Sequence, residues 1–499
     1  MRLITLSISI LISLLAKPTM ADVCHYFSTI KSDPARLYPF FKDMPKGGEL
    51  HYHLAGGALP ETMLSLAPQG DYCMDTTTYT ISQTQSKCRG VSLNSLKKNS
   101  PLYKQTLRAW SMKDFSPDNE SGHDHFFAIF FKFFPIISDY GPNLLAEIMK
   151  RAAQHHELYL EIMILPDNAQ SSHFGQLIEN TKGLANKQKI LLTNVTFRKN
   201  IQHTIIESTG LLEKARQKLG CGTSSKVPAC ALTIKFQYNI LREQPLDDLF
   251  AQALNAFAAA SKSDELVGIN LVQAEDGPIS LHDYRRQMAV INFLHQAYPT
   301  VHIALHAGEL AQQKVGLNIV APKELRYHIH DAVFTGHAER IGHGVDIRHE
   351  DNYKTLLDYM SKAGIPIEIS FTSNQKILNI SGKKHQIKFY VEHNVPIVLS
   401  TDDEGILRTN LTHEYVEAVT QYGLDYSAIK KINRNALTYS FLPGKNLWKN
   451  ASQGLLVNEC ADLNSTTCRT FISHNQKAAL QWELENQLAT FEITHCEKK

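Results

Sequence analysis

Side chains that can bind a metal or move protons follow four short apolar runs of this 499-residue sequence. The four stretches read "HYH", "LHAGE", "GHG" and "STDDE". They supply His51, His53, His306, Glu309, His343, Asp402 and Asp403. Imidazole and carboxylate groups are typical Zn²⁺ ligands, and a catalytic zinc site keeps one position open for water. The metal lowers the pKa of that water to around 7, so the residue types indicate metal-assisted hydrolysis.

The spacing divides these residues into two groups. His51 and His53 are two positions apart on a predicted strand, so both point to one face. With His306 and Asp402 they would form a ligand set of three nitrogens and one oxygen. Glu309 lies outside this set and could move protons.

His343 and Asp403 could hold the attacking water and remove its proton. Each residue taken alone has an ordinary explanation, since "TDD" is also typical of a turn or a helix N-cap. The conjunction of four such stretches favours a site. Two further His-x-His pairs, at 123–125 and 328–330, fall in helix-like or loop stretches, and we assign them no metal.

Eight β-rich runs alternate with amphipathic stretches along the chain, and most of them are apolar throughout, as in strands covered on both faces. This alternation predicts an α/β fold, a (β/α)8 TIM-type barrel. In such a barrel the active site lies at the carboxyl ends of the strands, where the polar stretches fall. The predicted strands are 49–53, 157–164, 231–238, 265–271, 300–306, 339–344, 365–370 and 395–400.

The N-terminus has a basic start, an apolar stretch of about 14 residues and a small residue at Ala21. That stretch is shorter than the ~20 residues that a membrane-spanning helix needs. We therefore expect a signal peptide at 1–21, cleaved to give a secreted or periplasmic protein without a membrane anchor. An N-terminal segment at 22–44 and a barrel at 45–499 would follow. We expect a small disulfide-pinned insert after strand 1, at about 62–120, and a helical C-terminal extension from about 405.

Eight cysteines follow the predicted cleavage point, and an even count in an exported chain favours disulfides. Neighbouring pairs suggest Cys73–Cys88, Cys221–Cys230 and Cys460–Cys468, which leaves Cys24 with Cys496. The sequence allows 105 pairings, so the connectivity stays open.

The composition is that of an ordinary globular protein, with 43% hydrophobic and 20% charged residues. A formal net charge of +2 gives no electrostatic case for binding nucleic acid or an acidic membrane. Neither nucleic acid nor an acidic membrane is therefore an expected partner.

Four motifs together resemble the adenosine deaminase family. "MPKGGELHYHLAGGALPE", "LHAGE", "RIGHG" and "STDDE" occur in the order and spacing of that family, over about Met44 to Pro443. The chain looks most like the secreted, growth-factor-type members, because of its exported N-terminus, its cysteine-bearing insert and "GINLVQAEDG".

The resemblance implies one zinc ion per chain, bound by His51, His53, His306 and Asp402. Glu309 would protonate purine N1, while His343 and Asp403 would orient the water that attacks C6 of adenosine or 2′-deoxyadenosine. The products would be inosine or 2′-deoxyinosine and ammonia. The expected substrate-binding residues are the apolar lid Phe126, Phe127 and Phe130, together with Gln273 and Glu275.

The sequence departs from the family pattern on the sugar side of the expected pocket. Leu54 and Ala55 stand where the family usually has an aspartate, and Gln273 replaces a glycine. Asn270 and Glu404 replace an aspartate and a proline. Methylthioadenosine, adenine or AMP are therefore alternative substrates.

Two other functional classes stay open, namely an amidohydrolase acting on an amide or ester and a secreted binding or signalling protein on a deaminase scaffold. The absence of a bridging-lysine motif argues against the first, and the complete acid/base set against the second. The sequence does not decide between monomer and homodimer. Residues 22–44 are shorter than the segment through which growth-factor-type members dimerise.

Overall fold

The computed structural model of the chain describes residues 20–84, 88–118, 120–223, 226–311 and 320–496, with side chains from 23 to 495 within those ranges. The predicted signal peptide, residues 1–21, lies outside the described residues except for the backbone of its last two positions.

Eight parallel strands of the described ranges form one sheet, in the order β1-β5-β6-β7-β8-β9-β10-β11. Each one falls within or beside one of the eight predicted runs, so the predicted fold class is confirmed. In chain order the strands are β1 (Glu49–His53), β2 (Tyr72–Met74), β3 (Ile81–Gln83), β4 (Val91–Ser92), β5 (Tyr159–Ile164), β6 (Thr233–Leu241), β7 (Leu266–Val272), β8 (His302–Ala307), β9 (Arg340–His343), β10 (Ile367–Ile369), β11 (Ile397–Leu399), β12 (Trp448–Asn450) and β13 (Leu455–Leu456).

The sheet closes on itself where its first and last strands meet. The His53 amide donates to the Asp402 carbonyl at 2.9 Å, and the Asp402 amide donates to the His51 carbonyl at 3.2 Å. This closure places the first His-x-His pair directly against the Asp402–Asp403 pair, although about 350 residues of chain separate them.

Helices cover the outside of the barrel because the buried strands are apolar on both faces. The helices are α1 (Met20–Ile30), α2 (Pro34–Asp43), α3 (Leu54–Gly57), α4 (Pro60–Leu66), α5 (Pro101–Ala109), α6 (Gly122–Gln154), α7 (Leu184–Thr193), α8 (Val195–Leu219), α9 (Leu246–Ala260), α10 (Pro278–Ala297), α11 (His328–Phe334), α12 (Tyr353–Ala363), α13 (Phe371–Leu378), α14 (Ile387–Glu392), α15 (Glu404–Leu407), α16 (Leu411–Thr420), α17 (Tyr426–Thr438), α18 (Thr466–Ser473) and α19 (Gln476–Cys496). Short 3-10 helices lie at Ala67–Gln69, Leu93–Ser95, Gln170–Leu177, Pro228–Ala231, Glu324–Arg326, Ile347–His349, Gly382–Lys384 and Asn458–Cys460. None of the described helices combines the length and the apolar composition needed to cross a bilayer.

Helix α6 carries the predicted aromatic lid and spans 33 residues. Its N-terminus is capped by the Ser121 hydroxyl, which accepts a hydrogen bond from the Asp124 amide at 3.0 Å. Pro135 and Pro142 lie within it, and Tyr140 between them leaves helical geometry. Because proline removes a helical hydrogen bond, this pair accounts for the kink. The two halves of α6, before and after Tyr140, therefore take different directions.

The expected insert after β1 contains a small antiparallel sheet of β2, β3 and β4, joined by the Cys73–Cys88 disulfide. The predicted Cys221–Cys230 and Cys460–Cys468 bonds also form. Cys24 forms no disulfide within the described side chains, which do not include that of Cys496. The fourth pair therefore stays a prediction.

Candidate metal centre and active site

Four side chains from separate strand ends meet in the barrel interior. Ligand atoms of His51, His306, His343 and Asp402 all lie within 4.8 Å of one another, and all four residues are buried. His53 Nε2 lies 3.3 Å from Asp402 Oδ1 and 3.3 Å from His306 Nε2. The structure thus brings together all four predicted metal ligands, with the predicted water-orienting His343 beside them.

Orphaned polar atoms test whether this cluster fits a cation. His51 Nε2 and His343 Nε2 are buried without a hydrogen-bond partner among the described atoms. An unpartnered buried polar atom costs about 1–3 kcal/mol. Imidazole nitrogens converging on a carboxylate satisfy that need when a divalent cation is bound between them. The donor set therefore fits a metal ion held by His51, His53, His306 and Asp402.

Hydrogen bonds on the side away from the metal position orient three of the four ligands. His51 Nδ1 lies 2.9 Å from Glu368 Oε2, and His306 Nδ1 lies 2.8 Å from Asn270 Oδ1. The Ser373 hydroxyl donates to Asp402 Oδ2 at 2.7 Å. Such partners fix the ring tautomer, so that the other nitrogen, Nε2, faces the metal position.

A buried ion network lies beneath His51. The guanidinium of Arg340 donates from Nε to Glu368 Oε1 and from Nη2 to Glu161 Oε1, each at 2.6 Å. All three side chains are at most 1% exposed. The charge on Arg340 keeps Glu368 ionised, and its pKa is lowered although burial acts in the opposite direction.

The acid/base groups have pKa values suited to different tasks. Burial raises the pKa of Glu309 above its ordinary value. Burial and the charge of Asp402 raise the pKa of Asp403 well above its ordinary value. Burial also acts to raise the pKa of Asp402, but the adjacent imidazole rings of His51 and His53 outweigh it and hold that pKa well below its ordinary range. Glu309 can therefore carry a proton while Asp402 stays ionised, the separation of roles that acid–base catalysis needs.

His343 links the proton-transfer groups to the ligand cluster. Its Nε2 lies 3.8 Å from Glu309 Oε1 and 3.8 Å from Asp402 Oδ2, while its Nδ1 is held by Asn374 Oδ1 at 3.1 Å. Asp403 packs against Gly56 so closely that a Cβ on Gly56 would overlap the Asp403 carboxyl group. Both water-orienting candidates are therefore fixed in place by their neighbours.

A cavity of about 1190 Å³ opens above these residues. It is lined by the predicted lid residues Phe126, Phe127 and Phe130, and by Leu54, Ala55 and Gln273. His53, His306, Glu309, His343, Asp402 and Asp403 form its floor. This volume lies slightly above the ~300–1,000 Å³ that is typical of ligand pockets, so it does not restrict the substrate to a nucleoside.

Glu275 lies behind the cavity wall and does not line it. Its carboxylate accepts the amides of Gly308 and Glu309 and contacts His328 Nδ1. The side chain of Gln273 lines the cavity, but its Oε1 already accepts the Glu243 amide at 2.9 Å. The prediction that Glu275 contacts substrate is therefore replaced by a supporting role.

Sequence reasoning missed the supporting residues. No spacing rule links Glu368 to His51, which is 317 positions away. A signal was nevertheless present, since Glu368 and Asn270 are single polar residues inside apolar strands, and buried polar groups need partners.

The adenosine deaminase family profile matches residues 118–452, more than half of the chain. The chain belongs to the adenosine deaminase family. The matched range contains His306, Glu309, His343, Asp402 and Asp403 and begins after β1. No comparison addresses the growth-factor subtype, which stays a prediction.

Sequence relatives match over shorter segments. An N6-methyl-AMP deaminase of Danio rerio is 39% identical over 108 residues, covering 21% of this chain and 31% of that protein. An adenosine deaminase of Klebsiella pneumoniae is 33% identical over 142 residues, covering 28% and 38%. These matches span about a third of the length of each relative.

Solved structures agree with the fold along most of the chain. An adenine deaminase from Arthrobacter aurescens has a TM-score of 0.55 at 14% identity, covering 89% of this chain and 98% of that one. Arabidopsis ADAL complexed with IMP has a TM-score of 0.53 at 18% identity, covering 90% and 98%. At such identities the likeness supports the barrel fold alone.

Proposed function

We propose that the chain is a zinc-dependent hydrolase that deaminates adenosine or 2′-deoxyadenosine. The observation that carries this proposal is the buried histidine–aspartate cluster at the floor of the cavity, with Glu309, whose pKa is raised by burial, at its edge. Membership of the adenosine deaminase family supports the same reaction class.

In this proposal His51, His53, His306 and Asp402 hold one Zn²⁺. The ion supplies Lewis acidity, which makes water a usable nucleophile at neutral pH. Asn270 and Glu368 keep the Nε2 atoms of His306 and His51 free for the ion, because each accepts the Nδ1 proton of its histidine.

Protonation of purine N1 by Glu309 makes C6 electrophilic, since the N1–C6 bond then carries positive charge. His343 and Asp403 hold the water beside the ligand cluster and accept its proton as its oxygen bonds to C6. The C6–N6 bond then breaks, the leaving nitrogen takes up a proton, and the products are ammonia and inosine. The aromatic lid excludes bulk water from this exchange.

An adenosine 5′-phosphate is the second candidate substrate. Lys214 and Lys218 line the same cavity and could meet a phosphate. Leu54 and Ala55 line it too, and neither side chain offers a polar group to a ribose hydroxyl. One relative is named for N6-methyl-AMP, which supports testing nucleotides.

The test is the release of ammonia, or of methylamine in the case of N6-methyl-AMP, by purified protein that has been stripped with a chelator and reloaded with zinc. Adenosine, 2′-deoxyadenosine, methylthioadenosine, adenine, AMP and N6-methyl-AMP are compared at equal concentration. The proposal expects turnover that depends on zinc and is highest for a nucleoside. A preference for AMP would select the second candidate, and zinc binding without turnover of any purine would overturn both.

We also propose that the protein is exported and cleaved near Ala21, with a small purine as its partner. The three disulfides support an oxidising compartment. N-terminal sequencing of the mature protein from the native host tests this, because an N-terminus at Met1 would contradict cleavage.

A further inference from the structure

Residues 273–277, "QAEDG", connect three parts of the active site. Gln273 and Ala274 line the cavity. The next two side chains, Glu275 and Asp276, are buried and bind neighbouring elements on different sides of the loop. We call residues 273–277 the junction loop.

Glu275 holds the backbone of the proton donor. Its two carboxylate oxygens accept the Gly308 amide at 3.1 Å and the Glu309 amide at 2.7 Å. On its other side, His328 Nδ1 approaches Glu275 Oε1 at 2.6 Å. The His328 ring is stacked on Tyr284 at 3.6 Å, which fixes its orientation.

Arg242 contacts the same segment and Glu275. Its Nη2 donates to the His306 carbonyl at 2.9 Å, and its Nη1 lies 4.0 Å from Glu275 Oε2. In the short segment from His306 to Glu309, the guanidinium of Arg242 therefore holds the first carbonyl, and the carboxylate of Glu275 holds the last two amides. Charge-assisted hydrogen bonds of this kind are the strong ones in a buried environment.

Asp276 holds the lid helix. Its Oδ1 lies 3.0 Å from Nε2 of His123, a residue in the first turn of α6. The other ring nitrogen of His123 lies 3.1 Å from Asp124. The His123 ring packs 4.8 Å from Phe127, whose side chain lines the cavity. The contact thus joins the start of the lid to the junction loop.

We propose that the junction loop is a positioning device, in which Glu275 presents the carboxyl group of Glu309 and Asp276 docks the aromatic lid. The first histidine of each His-x-His pair outside the metal cluster holds one of these carboxylates, His328 for Glu275 and His123 for Asp276. The assignment of roles to Glu309 and the lid rests on the proposed deamination. The two contacts act on different steps, proton transfer and substrate retention, so their losses have different kinetic signatures.

Matched substitutions at the two histidines separate these steps. His328→Leu frees one side of Glu275, and we expect kcat to fall about 10- to 100-fold, because misplacement of a reacting group by about 1 Å costs up to that factor. Its KM should stay within about threefold of the wild-type value. His123→Leu undocks the lid, and we expect KM to rise about tenfold with kcat within about threefold, because less of the protein is in the binding-competent state.

Conservative variants show whether the hydrogen bond itself matters. His328→Asn can place an amide N–H near the position of Nδ1, and His123→Gln can place one near Nε2. His328→Asn should recover at least half of the kcat that His328→Leu loses, and His123→Gln should reverse at least half of the KM increase of His123→Leu. Glu275→Gln should reproduce His328→Leu, because the Gly308 and Glu309 amides bind different carboxylate oxygens and in glutamine one of the two positions is an NH₂ group, which cannot accept.

Hydrogen exchange gives a readout that does not depend on activity. In the zinc-loaded full-length protein, His328→Leu should speed exchange in the peptide containing Gly308 and Glu309, and His123→Leu in the first turns of α6. If exchange changes as expected but the wild-type protein deaminates nothing, only the proposed function fails. If both variants lower kcat and raise KM alike, or leave exchange in these two segments unchanged, the positioning proposal is wrong.

Discussion

Replacing Glu368 with glutamine tests how the barrel prepares its metal ligands. The carboxylate accepts two donors, His51 Nδ1 at 2.9 Å and Arg340 Nε at 2.6 Å, on different oxygens. Glutamine has only one acceptor oxygen. If that oxygen faces Arg340, the amide NH₂ faces His51, and the ring must accept at Nδ1 and carry its proton at Nε2. That tautomer cannot bind a metal through Nε2.

The expected loss of zinc affinity follows from this competition between Arg340 and His51 for one acceptor oxygen. Loss of an orienting partner of a metal-bound histidine typically weakens metal affinity about 10- to 100-fold, equivalent to about 1.4–2.7 kcal/mol of binding free energy. Competition with a chromogenic zinc chelator at pH 7 measures the dissociation constant directly. We expect Glu368→Gln to fall in this range and to remain folded by circular dichroism.

Glu485→Gln is the matched control. Glu485 also accepts from an arginine Nε at 2.6 Å, that of Arg434, but it lies on α19 and contacts none of the candidate ligands. Its substitution should leave zinc affinity within about twofold. A folded Glu368→Gln variant that binds zinc as tightly as the wild-type protein would refute the orientation argument.

Three further predictions follow from the same contacts. Gly56→Ala introduces a methyl group that overlaps Asp403, so kcat should fall about 100-fold. The zinc content, measured by atomic absorption, should stay near one ion per chain. An unchanged kcat would remove Asp403 from the mechanism. Arg340→Met leaves the buried carboxylates of Glu161 and Glu368 without their cationic partner and should lower the free energy of unfolding by about 3–5 kcal/mol. Urea denaturation measures this loss. A loss below about 1 kcal/mol would contradict the stabilising role of the buried ion network. Because burial raises the pKa of Glu309, its protonated form persists above the ordinary glutamate range and is lost as pH rises through the raised pKa. The value of kcat/KM should therefore decline on the alkaline side of that pKa. A value that instead increases as Glu309 ionises would exclude Glu309 as the proton donor.

The eight strands could be predicted from sequence because each is a short apolar run with its own local signal. The convergence of His51 with Asp402 followed from one rule, that the carboxyl ends of barrel strands meet. Both the run boundaries and the polar stretches after them are local features, so no knowledge of long-range packing was needed.

The supporting residues needed the three-dimensional structure. Glu275 shows why, since its place in the family pattern suggested substrate contact, whereas the fold turns it toward the Gly308 and Glu309 amides. The direction in which a loop side chain points depends on backbone angles that pattern reasoning does not supply. His123 and His328 likewise belong to His-x-His pairs for which the sequence indicated no role. The structure places Asp276 beside His123 and Glu275 beside His328.

The most direct test of the proposed reaction is ammonia release from adenosine by zinc-loaded wild-type protein and by the Glu309→Gln variant, with zinc content measured in both. Glutamine preserves the shape of the side chain and removes the proton that reaches purine N1. The account predicts steady turnover by the wild-type protein and a loss of about 10²- to 10⁴-fold in the variant at equal zinc content. Equal turnover by both proteins would contradict the assignment of Glu309 as the proton donor. No turnover by either protein with zinc bound would contradict deamination of adenosine itself.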